Sequence, residues 1–275
     1  RVMANRIWSH LLGEGLVRTV DNFGNNGERP SHPELLDHLA VRFAGQHGWS
    51  VKSLVKEIVL SRTYRQASTW REAAFEQDPE NRLLWRASKR RLEAEAIRDA
   101  MLAVAGQLDT TRPEASLVAQ IGDRPIALIA FDARVPADLD GSRHRSVYLP
   151  VLRDRLPDVL DLFDFAEPSL VTGHRETTNV PLQALYLMNS PFVLERAAGL
   201  ADRVAKQADD LDAQVRRAFV LCFSRPPRED EARWASQFFA ASTDNANEPA
   251  AAEQPEQLKA FCQALLATAE FRNLD

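Results

Sequence analysis

Apolar residues recur along most of this chain at intervals of three and four, the spacing of amphipathic helices rather than of strands. Arg1 to Leu12 reads as a first helix that stops near Gly13. A polar loop from Gly13 to Pro30 follows, rich in Gly and Asn and so built on backbone angles that most residues avoid. Ser31 is expected to cap a second helix, with Pro33 in its first turn and Glu34 completing a capping box. Leu35, Leu36, Leu39 and Phe43 form its apolar face, and Gly48 ends the run. Ser50 opens a third helix with Leu54, Val55, Ile58 and Val59 on one side. The sharpest stripe is Leu92, Ala96, Ile97, Ala100, Met101, Val104 and Leu108, which predicts a helix over Arg91 to Leu108. Its other face carries Arg91, Glu95, Arg98 and Asp99, spaced for ion pairs along a solvated surface. The basic run Lys89 to Arg91 sits beside Glu93 and Glu95, and reads as part of that surface rather than as a phosphate site.

Between Thr110 and Pro150 the periodicity breaks. Ile126 to Phe131 and Val147 to Leu152 are short apolar runs bounded by Pro and Gly, predicted as two strands of a small sheet. Asp132 to Arg145 reads as an exposed loop. Helical spacing then resumes with Leu182, Leu185, Tyr186 and Met188. Asn189, Ser190 and Pro191 mark a fresh start for a helix that continues over Phe192 to Gln207. Leu211, Val215, Phe219 and Cys222 make the next stripe, closed by Pro226 and Pro227. Glu229, Asp230 and Glu231 open a helix bearing Trp234 and Phe238, where acidic groups suit the helix dipole. Ser242 to Gln254 reads as a linker, and Pro255 to Glu270 as a last helix. The expected fold is mainly α: a multi-helix orthogonal bundle in two packed lobes, with at most a small β element in the middle. The lobes are residues 1–108 and 146–275, joined by an irregular segment 109–145 and forming a single unit.

With 275 residues, 45% hydrophobic and 27% charged, the chain has the makings of a buried core. Its net charge of −5, with acids and bases intermixed, offers no broad basic face for nucleic acid. No apolar run approaches the roughly 20 residues that cross a bilayer. The opening at Arg1, already inside a helical pattern, reads as a boundary within a longer protein. Cys222 and Cys262 lie on apolar faces without a CxxC pair. They read as buried thiols, with a disulfide as the alternative.

Motifs for chemistry are absent from the sequence: there is no GxSxG, HExxH or P-loop, and Arg18 breaks the GxGxxG that Gly13 and Gly15 begin. His10, His32, His38, His47, His144 and His174 share no metal-ligand spacing, so neither a metal nor a cofactor is expected. The loop Asp21 to His32 holds Asp21, Asn25, Asn26, Glu28 and His32 among glycines. Hard oxygen ligands of that kind suit Ca²⁺, but the spacing is not that of an EF-hand, and turn formation alone accounts for it. A second polar set pairs Arg143, His144 and Arg145 with the run His174 to Asn179. Of these, Arg143, Arg145, His174, Arg175, Glu176 and Asn179 are the candidate binding residues, with arginine forks suited to a carboxylate, a sulfate or a sugar hydroxyl. The plainer alternative is an ion-pair network that locks these loops onto helices.

Several stretches are familiar as an ordered set. They are Arg1-Val-Met-Ala-Asn-Arg-Ile-Trp8, Gly13-Glu-Gly-Leu-Val17, Asp21-Asn-Phe-Gly24 and Ser31-His-Pro-Glu-Leu-Leu-Asp37. Gly48-Trp-Ser50, Ser61-Arg-Thr-Tyr-Arg65, Arg91-Leu-Glu-Ala-Glu-Ala-Ile-Arg-Asp99 and Arg145-Ser-Val-Tyr148 continue the series. Phe163-Asp164, Arg175-Glu-Thr-Thr178, Pro181-Leu-Gln-Ala-Leu185 and Arg225-Pro-Pro227 complete it. Together they resemble domain of unknown function number 1553, the C-terminal domain of planctomycete surface proteins with a cytochrome-like N-terminal region. Asn22 departs from the pattern, where relatives more often show Asp, which weakens a metal reading of that loop. The resemblance implies an exported protein, periplasmic or extracellular, whose upstream domains are the first partners of this one. Haem belongs to those upstream parts, and the family supplies no catalytic residues.

The reading that follows is a non-catalytic binding or assembly module of an exported multidomain protein. Polysaccharide or another surface protein are further candidate partners. One alternative is a hydrolase of surface polysaccharide that uses Glu176 with Asp21 or Glu28 as its second carboxylate. Another is a docking surface for an electron-transfer domain.

Overall fold

A computed structural model of the chain describes residues 1–114, 141–151, 156–241 and 250–274. These fall into two compact units, Arg1–Arg91 with Thr172–His174 and Asn273–Asp275, and Leu92–Val171 with Arg175–Arg272. Each unit closes around its own apolar cluster.

In the first unit, helices α1 (Val2–Leu12), α2 (Pro33–Ala44) and α3 (Val51–Val59) pack pairwise. The buried set follows the helical spacing: Ala4, Ile7 and Trp8 from α1, Leu36, Leu39 and Phe43 from α2, Leu54 and Ile58 from α3. Gly13 ends α1 in the left-handed region at φ 92°, where its N–H reaches the Ser9 carbonyl, a conformation that costs glycine nothing. Ser50 caps α3 by accepting a hydrogen bond from the Ser53 N–H. The loop after α1 adds Leu16 and Val17 to the core, and Asn5 holds it there. Asn5 is fully buried; its Nδ2 donates to the Val17 carbonyl at 2.9 Å and its Oδ1 accepts the Val17 N–H at 2.8 Å. One neutral amide thus satisfies both backbone groups of a buried loop residue.

Beyond α3 the chain forms α4 (Glu72–Gln77) and a short strand β1 (Arg90–Arg91), which pairs antiparallel with β2 (Asn273–Leu274). Helix α4 has no buried residue, so it leaves no apolar stripe in the sequence. Its surroundings cohere through Trp70, Phe75 and Trp85, with the Arg86 guanidinium 4.9 Å from the Trp70 ring and 4.8 Å from that of Trp85.

The second unit contains α5 (Ala94–Val104), α6 (Asp158–Leu162), α7 (Pro181–Asn189), α8 (Pro191–Gln207) and α9 (Leu211–Phe223). It continues with α10 (Glu229–Ala241), α11 (Ala250–Ala267) and α12 (Ala269–Arg272). Helix α8 is the hub, packed by α11, α9, α7 and α5. Val193, Ala197, Leu200 and Val204 of α8 meet Ile97, Met101 and Leu102 of α5 and Leu266 of α11 in one cluster. Asp210 caps α9 through the Ala213 N–H at 2.7 Å, and Ser224, at φ 58°, ends it. Arg203 of α8 donates to the carbonyls of Ala103 and Val104, both at 2.9 Å, and so closes the C-terminal end of α5. Arg225 lies between Glu231 at 2.7 Å and Glu270 at 2.6 Å, joining the end of α9 to α10 and α12. The arginine's hydrogen bonds bring the Glu231 carboxyl down to about 2. Cys222 and Cys262 are free thiols in this core, and burial pushes the Cys222 thiol up to about 12.

Among the described residues the fold is mainly α with one small two-stranded sheet. That sheet pairs residues 90–91 with 273–274, and Ser146–Tyr148, which overlaps the start of the expected strand Val147 to Leu152, is a 3₁₀ turn. Its sequence gives one turn of helix because Ser146 and its neighbours are tied to α5 rather than to another strand. The other expected strand, Ile126 to Phe131, lies outside the described residues, as does most of the expected loop Asp132 to Arg145. The N-cap of α2 is His32 rather than Ser31, whose hydroxyl donates instead to the Leu16 carbonyl at 3.3 Å. Helix α5 starts at Ala94 and stops at Val104, since Arg90 and Arg91 are in β1 and Gly106 at φ 71° turns the chain. The stripe of α5 packs into the second cluster, so the units divide at Arg91/Leu92 where the sequence suggested Leu108. The expected linker Ser242 to Gln254 has residues 250–254 inside α11, which contains Pro255; 242–249 lie outside the described residues. The last helix, expected over Pro255 to Glu270, is two: α11, then α12 from Ala269.

Candidate functional site

The polar motif residues of the second unit converge on α5. Glu95 and Asp99 stand four residues apart on this helix and so project from one face. Arg175 reaches Glu95 through two parallel bonds, Nη1 to Oε2 at 2.6 Å and Nη2 to Oε1 at 2.9 Å. Glu93 adds a second carboxylate at 3.5 Å, and the guanidinium lies 5.0 Å from the Phe165 ring centroid. The bonds to Glu95 hold the Arg175 guanidinium above its ordinary pKa.

One turn on, Asp99 Oδ1 accepts the Ser146 N–H at 2.8 Å and the Ser146 hydroxyl at 2.7 Å. Arg145 Nε lies 3.7 Å from Asp99 Oδ2. Between these carboxylates Arg98 is 0% exposed, although the sequence placed it on the solvated face. Its Nη1 donates to the His144 carbonyl at 3.0 Å and its Nη2 to that of Ser142, while its guanidinium sits 5.5 Å from the Phe192 ring centroid. The loop before Ser146 therefore covers the face of α5 that periodicity assigned to water. Asp109 extends the anchorage: its N–H donates to the Arg143 carbonyl at 2.8 Å, and its carboxylate is 3.5 Å from His144 Nδ1.

A second knot fixes the segment leading into α7. Asp164, held at φ 61°, accepts the Thr178 N–H at 2.9 Å and the Thr178 hydroxyl at 2.8 Å. Gln183, nearly fully buried, donates to the Leu162 carbonyl at 2.9 Å and to that of Thr178 at 3.3 Å. The pairs Phe163-Asp164, Thr177-Thr178 and Leu182-Gln183, read separately in the sequence, thus contribute to one local structure.

Of the six candidate binding residues, Arg145 and Arg175 are drawn to carboxylates one helical turn apart on α5. Arg143 contributes its backbone carbonyl and leaves its side chain exposed. Glu176 and Asn179 are exposed residues of the second unit, and His174 is an exposed residue of the first. Asp21 and Glu28, the carboxylates considered as partners of Glu176, also belong to the first unit. There Asp21 lies 3.9 Å from Arg6. The loop around them is shaped by internal bonds: the Thr19 hydroxyl donates to the Asn22 carbonyl at 2.8 Å and accepts the Glu28 N–H at 3.0 Å. A side chain at Gly27 would put its Cβ 2.0 Å from the Asn22 carbonyl oxygen, which accounts for that glycine without a ligand. Among the described residues no group of three or more His, Cys, Asp or Glu is placed to hold a metal ion. A depression lined by Trp8, Leu16, Arg18, Glu28, Asn81 and Leu84 has room for about one water. Arg18 at its edge is already bonded to Glu14 and Glu80.

Sequence reasoning missed Glu95, Asp99, Ser146, Asp164 and Gln183 as anchors. The signal was present in the dense polar motifs, but their partners lie 47 to 80 residues away for the α5 anchors. It also missed a surface. Helix α7 buries Gln183, Tyr186 and Leu187 on one side and leaves Leu182 (60%), Leu185 (54%) and Met188 (62%) exposed on the other. Leu170, Val171, Val180 and Leu194 are exposed nearby in sequence. The described residues include 21 exposed large hydrophobics, and seven of them fall within residues 170–194, far more than an even scatter would place there.

The two helical units, and polar motifs that tie loops to helices rather than lining a cleft, define a mainly α domain without a recognisable catalytic constellation among the described residues. The model of the family described as "Protein of unknown function (DUF1553)" matches residues 1–239, and the chain belongs to that family. No curated protein and no solved structure matches it.

Proposed function

We propose that this chain is a non-catalytic binding or assembly module of an exported multidomain protein. The observation that carries this reading is the division of labour in the second unit. Arg145 and Arg175 are engaged with the α5 carboxylates Asp99 and Glu95, while an uncharged apolar surface is left on α7. A binding cleft for an anion or sugar needs donors aimed at open space, whereas the Arg175 fork is filled by Glu95. An exposed apolar face, by contrast, is what a protein–protein contact uses.

Export and the upstream cytochrome-like domains come from the family resemblance alone, and they make those domains the natural first partners. The test is a screen of the purified chain for turnover of polysaccharides and esters, run beside a pull-down with the upstream domains. Retention of those domains without turnover is the expected result. Turnover that disappears in Glu176→Gln would overturn the reading in favour of a hydrolase.

A further inference from the structure

Arg98, Arg175 and Arg225 each donate to protein acceptors through their guanidinium groups. Arg86, in the first unit, is held by rings instead. Its guanidinium lies 4.9 Å from the Trp70 ring centroid and 4.8 Å from that of Trp85, and the two indoles meet edge to face at 74°. Its Nε is buried without a hydrogen-bond partner, and among the described residues no carboxylate or carbonyl accepts from its other donors. Stacking fixes the plane of the fork and leaves its N–H edge unspent. A partly buried cation with unmet donors is the arrangement that a ligand anion completes.

The surroundings favour such a ligand. From Arg62 to Arg91 there are eight basic residues and four acidic ones, in a chain whose net charge is −5. The acids nearest in sequence are engaged elsewhere: Asp78 accepts the N–H groups of Arg82 and Leu83, Glu80 pairs with Arg18, and Glu72 accepts the Trp70 indole N–H at 2.9 Å. Trp70 is 47% exposed, so apolar ring surface adjoins the fork. A bare anion would use the fork and leave that indole idle. A neutral sugar would use the indole and leave the fork unmet. A sugar ring that carries a carboxylate or a sulfate uses both, its C–H face on the indole and its oxyanion on the guanidinium. Nucleic acid draws its affinity from several phosphates in a row, and Glu72, Glu76, Asp78 and Glu80 interrupt the basic run.

We infer that Trp70, Trp85 and Arg86 form a binding site for an acidic sugar, with Arg86 holding the oxyanion and Trp70 the ring. This goes beyond the assembly reading above and does not depend on the α7 surface.

Calorimetric titration of the purified chain, with indole fluorescence followed in parallel, tests this. The probes are an oligogalacturonate, a sulfated heparin oligosaccharide, a neutral malto-oligosaccharide, polyglutamate and single-stranded DNA. An acidic sugar binds, shifts the indole emission and weakens as salt rises, while the neutral sugar does not bind. Which of the two acidic sugars binds tells a carboxylate from a sulfate. Arg86→Gln lowers the association constant about tenfold or more, and Trp70→Ala lowers it as well. Glu72→Gln, an exposed change that removes a competing charge, raises it about two- to threefold, and it decides the matter should Arg86→Gln fail to fold. The proposal is overturned if neither acidic sugar binds, or if polyglutamate or DNA binds equally well. A folded Arg86→Gln variant that binds as the parent does, or a Glu72→Gln variant without gain, overturns it too.

Discussion

Asn5 in the first unit and Arg98 in the second both hold a loop against a helix, with opposite chemistry. Asn5 satisfies the N–H and C=O of Val17 with one neutral amide and carries no charge into the core. Arg98 takes a full charge to 0% exposure and uses it on the carbonyls of Ser142 and His144, flanked by Glu95 and Asp99 on the same helix. A neutral clamp is indifferent to pH and nearly so to salt. A charged one is stronger per bond but depends on every partner being present, since a stranded buried charge is costly. Salt and pH therefore act on the second unit's fastenings and leave the Asn5 clamp alone.

The sharpest way to break this contrast is Arg98→Met, which keeps the stem but strands two carbonyls; it is expected to destabilise by about 4 kcal/mol in chemical denaturation. Glu231→Gln comes next, at about 2–3 kcal/mol at neutral pH, because it removes the main bidentate partner of Arg225. Glu231 has its pKa depressed from 4.5 to about 2 in the folded chain. Its stabilisation is therefore complete above 4.5 and is lost as pH falls through that window. The parent and Glu231→Gln should converge in acid denaturation curves; a gap that persists at pH 2 would contradict the charged character of this fastening. Asn5→Ala is expected to cost about 2 kcal/mol, the desolvation of one buried N–H and one C=O. That cost stays constant across the acid range and in high salt, which urea titrations at several pH values would check. Arg175→Met, at a site 29% exposed, should cost about 1–2 kcal/mol and less in high salt. Leu185→Glu is expected to change stability by less than about 0.5 kcal/mol, since its side chain faces water.

Much of the fold could be read from local pattern alone. The α5 stripe and the set Leu211, Val215, Phe219 and Cys222 are properties of neighbours three and four residues apart, and the Gly13 stop is equally local. What could not be read depended on distant partners. Arg98 occupies a position that periodicity gives to solvent, and the loop at 142–146 covers it. The 3₁₀ turn at Ser146–Tyr148 looks like a strand in composition, but its backbone is committed to Asp99. Segment 70–86 coheres through arginine stacking on tryptophans, which has no period at all, and so α4 left no trace.

The candidate site shows the same split. The sequence brought forward Arg145 and Arg175 as residues that matter, and both engage α5. It could not name Glu95 and Asp99 as their partners, because on a helix these look like ordinary surface acids. Nor could it distinguish the two sides of α7, where leucines alternate between core and surface with similar composition.

Whether the Arg175 fork serves as a lock or as an open binding group is tested most directly by a double-mutant cycle between Arg175→Met and Glu95→Gln, read in denaturant unfolding. A lock predicts that the two losses overlap, with a coupling of about 1 kcal/mol between the side chains. Strictly additive losses, with no coupling, would mean that Arg175 does not hold its loop to α5.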